Sequence, residues 1–130
     1  MPSIFTRIIN REIPGYIIAE DANYIAFLDI SPLVLGHTLV VPKKETDYIF
    51  DADDETLAGL LVFAKKVAKA IEKAVPCKRI GISVIGLEVP HTHVHLVPMN
   101  SADDVNFTRH KLSPSKEALA EVTEAIRKNL

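Results

Sequence analysis

The sequence predicts an α+β fold: an antiparallel five-stranded sheet with one long helix and shorter terminal helices packed on it. Three observations predict it. A long stretch after Asp53 repeats apolar residues at helical spacing, five short segments rich in β-branched and apolar residues are bounded by turn residues, and no repeat or linker divides the chain. At 130 residues, 48% hydrophobic and 25% charged, the chain is large enough to bury a core and too apolar for disorder, so it reads as one domain over 1–130.

Each element has a local cause. Ser3 is placed to cap a short helix whose Ile4, Phe5, Ile8 and Ile9 recur at helical spacing. Pro14-Gly15 breaks the chain before strands at Tyr16–Ala19 and Tyr24–Leu28, with Asp21-Ala22-Asn23 as the turn between them. A third strand runs from His37 to Val41 and stops at Pro42. In the long helix, Leu57, Leu60, Leu61, Ala64, Ala68, Ile71 and Val75 form one stripe, while Lys65, Lys66, Lys69 and Lys73 fall off it. Asp51, Asp53, Asp54 and Glu55 crowd its start and the lysines its latter half, as the macrodipole favours, and Pro76 follows its end. Two further strands are expected at Arg79–Ile85 and His91–Val97. A final helix is expected from Ser113 as N-cap with Pro114 at its first position.

Bulk properties exclude several classes of function. A formal net charge of −2 gives no basic field for nucleic acid or anionic membrane. The single cysteine, Cys77, forbids an internal disulfide or a cysteine-based zinc cluster. With no secretory leader and no bilayer-length apolar run, a reduced cytoplasmic setting is expected.

The run His91-Thr92-His93-Val94-His95-Leu96-Val97 is the least ordinary feature of the chain. Read with period two, it places three imidazoles on one face about 6.5–7 Å apart. A neutral imidazole can attack phosphorus and form a phosphohistidine, splitting one displacement into two, while flanking rings donate to phosphoryl oxygens. His93, the central ring, is the physical choice for nucleophile. The rival chemistry is a metal site, with His37, Glu88 and Asp29 completing a shell around two histidines of the run.

This run resembles the signature of the histidine triad (HIT) family, in which histidines alternate with hydrophobic residues. Ile4-Phe5, Ile8-Ile9 and Glu12-Ile13-Pro14, then Phe27-Leu28-Asp29-Ile30-Ser31-Pro32 and Gly36-His37-Thr38-Leu39-Val40-Val41-Pro42-Lys43, resemble further blocks of that family in the same order. The likeness covers residues 3 to 98 and is nearest the Hint-like branch of nucleoside phosphoramidases. It implies hydrolysis or transfer at the α-phosphate of AMP or GMP conjugates, with no cofactor and no catalytic metal. It also implies a homodimer across which the sheet continues. By the resemblance, His93 is the nucleophile, His91 and His95 are ring-orienting and phosphate-contacting partners, and His37 is a fourth histidine behind them. Asp29 takes the ribose hydroxyls, and Phe5, Ile8, Phe27 and Ile30 wall the purine pocket. A nucleotide-binding module with weak turnover stays open as the alternative.

Three departures from the family pattern stand out. Positions that bind structural zinc in many relatives read Ser3, Thr6 and Glu45 here. The polar loop before the triad is shortened, with Leu87 and Glu88 in place of its usual polar pair. Glu88 is the candidate proton donor to the leaving amine if burial beside Leu87 and Val89 keeps it protonated. Residues 100–130, including His110, lie beyond the reach of the motif.

Overall fold

The computed structural model describes residues 2–130; Met1, the first residue of the expected domain, lies outside the described residues. Elements follow the order α1 (Ile4–Ile9), β1 (Ile17–Glu20), β2 (Tyr24–Leu28), β3 (Thr38–Pro42), α2 (Asp54–Ala74), β4 (Arg79–Ser83), β5 (Val94–Met99) and α3 (Lys116–Arg127). The strands form one antiparallel sheet in the order β1-β2-β3-β5-β4. This is the five-stranded α+β architecture the sequence predicts.

Local chemistry sets the element ends. The Ser3 hydroxyl caps α1 by accepting the Thr6 N–H at 3.1 Å. Asp21 turns the chain between β1 and β2 by accepting the N–H groups of Asn23 and Tyr24, both at 2.8 Å. Asp53 caps α2 through the Thr56 N–H at 2.7 Å, and Asp54 and Glu55 fill its first turn. The start of α3 corrects the expected one: Ser115 is the N-cap, accepting from Ala118 N–H at 3.1 Å. The Ser115 hydroxyl, not that of Ser113, meets a free N–H of the first turn, so Pro114 leads into the cap instead of beginning the helix.

The sheet separates two apolar layers. One face carries Tyr24, Ala26, Leu28, Val40, Val94 and Leu96 against α2 and α3. The other carries Ile25, Phe27, Leu39 and Val41 against Phe5 and Ile8 of α1. Burial is unbroken along β2 and β3, as expected for central strands covered on both faces. The even residues Val94 and Leu96 of β5 enter the larger layer, which leaves the odd-numbered histidines on the α1 side.

Candidate active site

Regular pairing in the histidine strand begins at Val94, three residues later than expected. Upstream, the backbone finds other partners: His91 N–H donates to Val89 carbonyl at 2.8 Å and Thr92 N–H to Thr46 carbonyl at 2.7 Å. The Thr92 hydroxyl also donates to Thr46 carbonyl, at 2.7 Å. The rings of His93 and His95 lie 4.8 Å apart between centroids, closer than a straight strand repeat. Phe5 from α1 packs edge-on against His93 at 4.9 Å and His91 at 5.9 Å.

Backbone partners assign the ring protons. The carbonyl of His91 can only accept, so at 2.7 Å it takes the Nδ1 proton of His93. Burial pushes the His93 ring below the usual histidine range, which keeps it neutral and leaves Nε2 with a free lone pair. Leu33 N–H can only donate, so His37 Nδ1 accepts it at 3.1 Å and the His37 proton sits on Nε2. That proton is donated to His95 Nδ1 at 2.9 Å, which leaves the His95 proton on its own Nε2. Burial pushes His37 down to about 4, helped by the charge of Lys111 and by His93. Burial, with His37, His93 and Lys111 adding to it, pushes His95 down to about 3.

His91 has a different position. Its Nε2 donates to Pro42 carbonyl at 2.8 Å, its Nδ1 faces the Ser3 hydroxyl at 2.7 Å, and the ring is wholly buried. Both nitrogens are occupied, so His91 serves the site through its carbonyl. Ser3 N–H and the Thr6 hydroxyl both donate to Glu45 Oε1, at 2.5 and 3.0 Å, closing a polar cluster that ties α1 to His91. Two hydroxyls engaged in this way are poor substitutes for thiolate zinc ligands.

The rings open into a cavity of about 440 Å³ lined by Phe5, Leu39, His93, His95, Asp29 and Glu88, together with the Ile85–Val89 loop. Asp29 stands at the end of β2, where one carboxylate oxygen accepts Ser31 N–H at 2.9 Å. Burial raises its pKa, opposed by that N–H and by the Lys111 charge. Asp29, His37 and His95 offer donor atoms within 4.8 Å of one another. However, the facing nitrogens of the two rings are spent on their mutual hydrogen bond, so this trio fits a proton-ordering role better than a metal shell.

The structure brings His37, His93, His95, Asp29, Glu88 and Phe5 to one place and separates the remaining candidates from it. Ile8 and Phe27 lie in the core beneath Phe5 and do not line the cavity. Ile30 is 62% exposed and points to neither, because Asp29 and Ser31 turn the chain outward there. The burial expected for Glu88 is absent as well. Leu87 is 88% exposed and Glu88 is exposed, on a loop that turns at Gly86 with φ 72° and stands away from the sheet. Sequence reasoning missed Phe107, Thr108 and Lys111, which form the opposite wall. Phe107 packs edge-on against His95 at 4.7 Å and His37 at 6.0 Å. The available signal was its isolation: no other aromatic residue follows Phe63.

Comparison with known proteins gives the family and the fold. Residues 10–102 match the model of the HIT domain family. An uncharacterized HIT-like protein of Borreliella burgdorferi is 36% identical over 135 residues, covering 98% of this chain and 97% of that protein. Adenosine 5'-monophosphoramidase hnt1 of Schizosaccharomyces pombe is 35% identical over 127 residues, covering 93% of this chain and 95% of that enzyme. Among solved structures, a Hit-like protein involved in cell-cycle regulation from Bartonella henselae superposes with a TM-score of 0.85 at 34% identity, covering 98% of this chain and 96% of that one.

Proposed function

The chain belongs to the histidine triad (HIT) family, and from that premise we propose that it is a nucleotide hydrolase or transferase acting at the α-phosphate of AMP or GMP conjugates. The observation that carries the proposal is His93: its Nδ1 proton is held by the His91 carbonyl, so a neutral ring offers Nε2 inside a cavity. A cavity of about 440 Å³ falls within the roughly 300–1,000 Å³ usual for small-molecule sites.

In this reading Asp29 accepts the ribose hydroxyls and Phe5 flanks the base. His93 Nε2 attacks phosphorus, and the bond from phosphorus to the leaving nitrogen breaks. The departing amine takes a proton from solvent water at the open mouth of the cavity, and the hydrolytic water later returns one to solvent. His95, whose Nε2 carries its proton, donates to a phosphoryl oxygen as charge grows there. Water then attacks the nucleotidyl-histidine, releasing the nucleotide and restoring the neutral ring. The ring protons are ordered by hydrogen bonds from protein groups, so we expect turnover to survive EDTA.

Assembly is part of the proposal. The outer edge of β4 is unpaired among the described residues and carries Ile82, 55% exposed, consistent with a homodimer whose sheets join there. Light scattering tests it. No helix among the described residues is long and apolar enough to cross a membrane, in keeping with the proposed cytoplasmic setting.

Burst kinetics with an AMP amidate test the activity. A covalent route whose adduct is hydrolysed more slowly than it forms gives a stoichiometric burst of released amine before the steady state. The second reading, a nucleotide-binding module, is favoured by the exposed Leu87 and Glu88 beside the reacting position. It gives a tight dissociation constant and no burst.

A further inference from the structure

The segment after β5 returns to the site, although most of it lies beyond residues 10–102, which match the HIT domain model. Arg109 fastens it, donating to Leu33 carbonyl at 2.7 Å and pairing with Asp103 at 3.1 Å and Asp104 at 3.3 Å. Leu112 N–H donates to Pro32 carbonyl at 2.9 Å. Both anchors lie on the 29–37 loop that carries Asp29 and His37. Phe107 sits on the rings of His95 and His37, so the segment is seated on the histidine cluster itself.

Lys111 is the one lysine or arginine among the residues lining the cavity. Its ammonium donates to Phe107 carbonyl at 3.3 Å and makes no ion pair among the described residues. The histidines beside it are held neutral by burial, so they bring N–H donors and a lone pair but no formal positive charge. A nucleotide phosphate entering there brings negative charge into a partly dehydrated space, next to the carboxylates of Asp29 and Glu88. Without a cation that charge is left uncompensated.

We infer that Lys111 is the substrate-binding cation of this site, receiving the phosphoryl oxygens of the nucleotide from a wall built by the C-terminal segment. The inference rests on the nucleotide reading above and adds to it a residue outside the matched domain. A flexible lysine suits the task, since it is a point charge able to follow the oxygens as the phosphoryl group moves from leaving group to His93.

Calorimetric titration of AMP and adenosine into the wild type, Lys111→Met and Lys111→Arg separates the possibilities. The two ligands share base and ribose and differ in the phosphate. The wild type is expected to prefer AMP, with an affinity that falls as salt rises. Lys111→Met should lose about tenfold to a hundredfold in AMP affinity, as for a charge-assisted hydrogen bond, while keeping its adenosine affinity. Lys111→Arg should recover most of the loss. Retained adenosine binding also reports an intact cavity. If Lys111→Met keeps the wild-type preference for AMP, or loses affinity for both ligands equally, Lys111 only balances Asp29 and the assignment is overturned. If the wild type binds neither ligand, the nucleotide reading falls and this inference with it.

Discussion

The histidine floor of the cavity and the loop over its mouth face the same space, but they are held differently. On the floor, His37 and His91 are fully buried, and His93 and His95 are nearly so. Each ring has at least one nitrogen tied to a backbone or ring partner at 2.7 to 3.1 Å. On the loop, Leu87 is 88% exposed, Gly86 takes a left-handed turn, and Glu88 makes no hydrogen bond among the described residues. The floor therefore has its proton positions decided by folding, before any ligand arrives. The loop has no such constraint. Under the proposed activity, chemistry common to all substrates falls to the first surface and discrimination among leaving groups to the second.

The largest expected effect comes from the floor. His93→Ala should lower amidate turnover by several orders of magnitude while nucleotide affinity stays nearly unchanged, measured by steady-state kinetics and titration. Wild-type turnover in the variant would move the nucleophile elsewhere.

A smaller loss follows from removing the ring behind His95. His37→Asn breaks the hydrogen bond that keeps the His95 proton on Nε2, and should lower turnover about tenfold to a hundredfold. It should also alter stability against pH. In the unfolded chain both rings take up protons from about pH 6.5, whereas in the fold His37 does so only near 4 and His95 near 3. Their contribution is complete above pH 6.5 and is lost as pH falls from there toward 4 and 3, by on the order of a few kcal/mol. Urea unfolding between pH 7 and 4 should show this decline, flattened in His37→Asn. An equal slope in both proteins would mean that these rings are not held neutral.

The smallest effect is expected on the loop. With Glu88 exposed, Glu88→Gln should slow amidates of good and poor leaving groups alike, and only a few-fold. Selective slowing of the poor ones would show that the loop closes and that Glu88 is the proton donor.

Legibility in the sequence followed the same division. The alternation of His91, His93 and His95 with Thr92, Val94 and Leu96 is a local pattern; it places His95 on the α1 side of β5, while His91 and His93 precede the paired strand and reach the same side from irregular backbone. The cap at Ser3, the charge gradient of α2 and the Asp21 turn are local in the same sense. Proton positions were not legible, because they depend on Leu33, Pro42 and the His91 carbonyl, groups brought together only by the sheet and its loops. The Phe107–Lys111 wall was hidden for the same reason: its anchors on Pro32 and Leu33 lie more than seventy residues away along the chain. Ile8, Phe27 and Ile30 show the converse case: the resemblance implied pocket walls, whereas apolar character alone favours core, and two of them are core while one faces solvent.

The central claim is that His93 becomes covalently nucleotidylated. Quenching the wild type during turnover of an AMP amidate, followed by intact-mass and peptide mass spectrometry, tests it directly. The account predicts an acid-labile adduct of one AMP group per chain, located on His93 and missing from His93→Ala. Full turnover with no adduct at any quench time, and amine release without a burst, would contradict it.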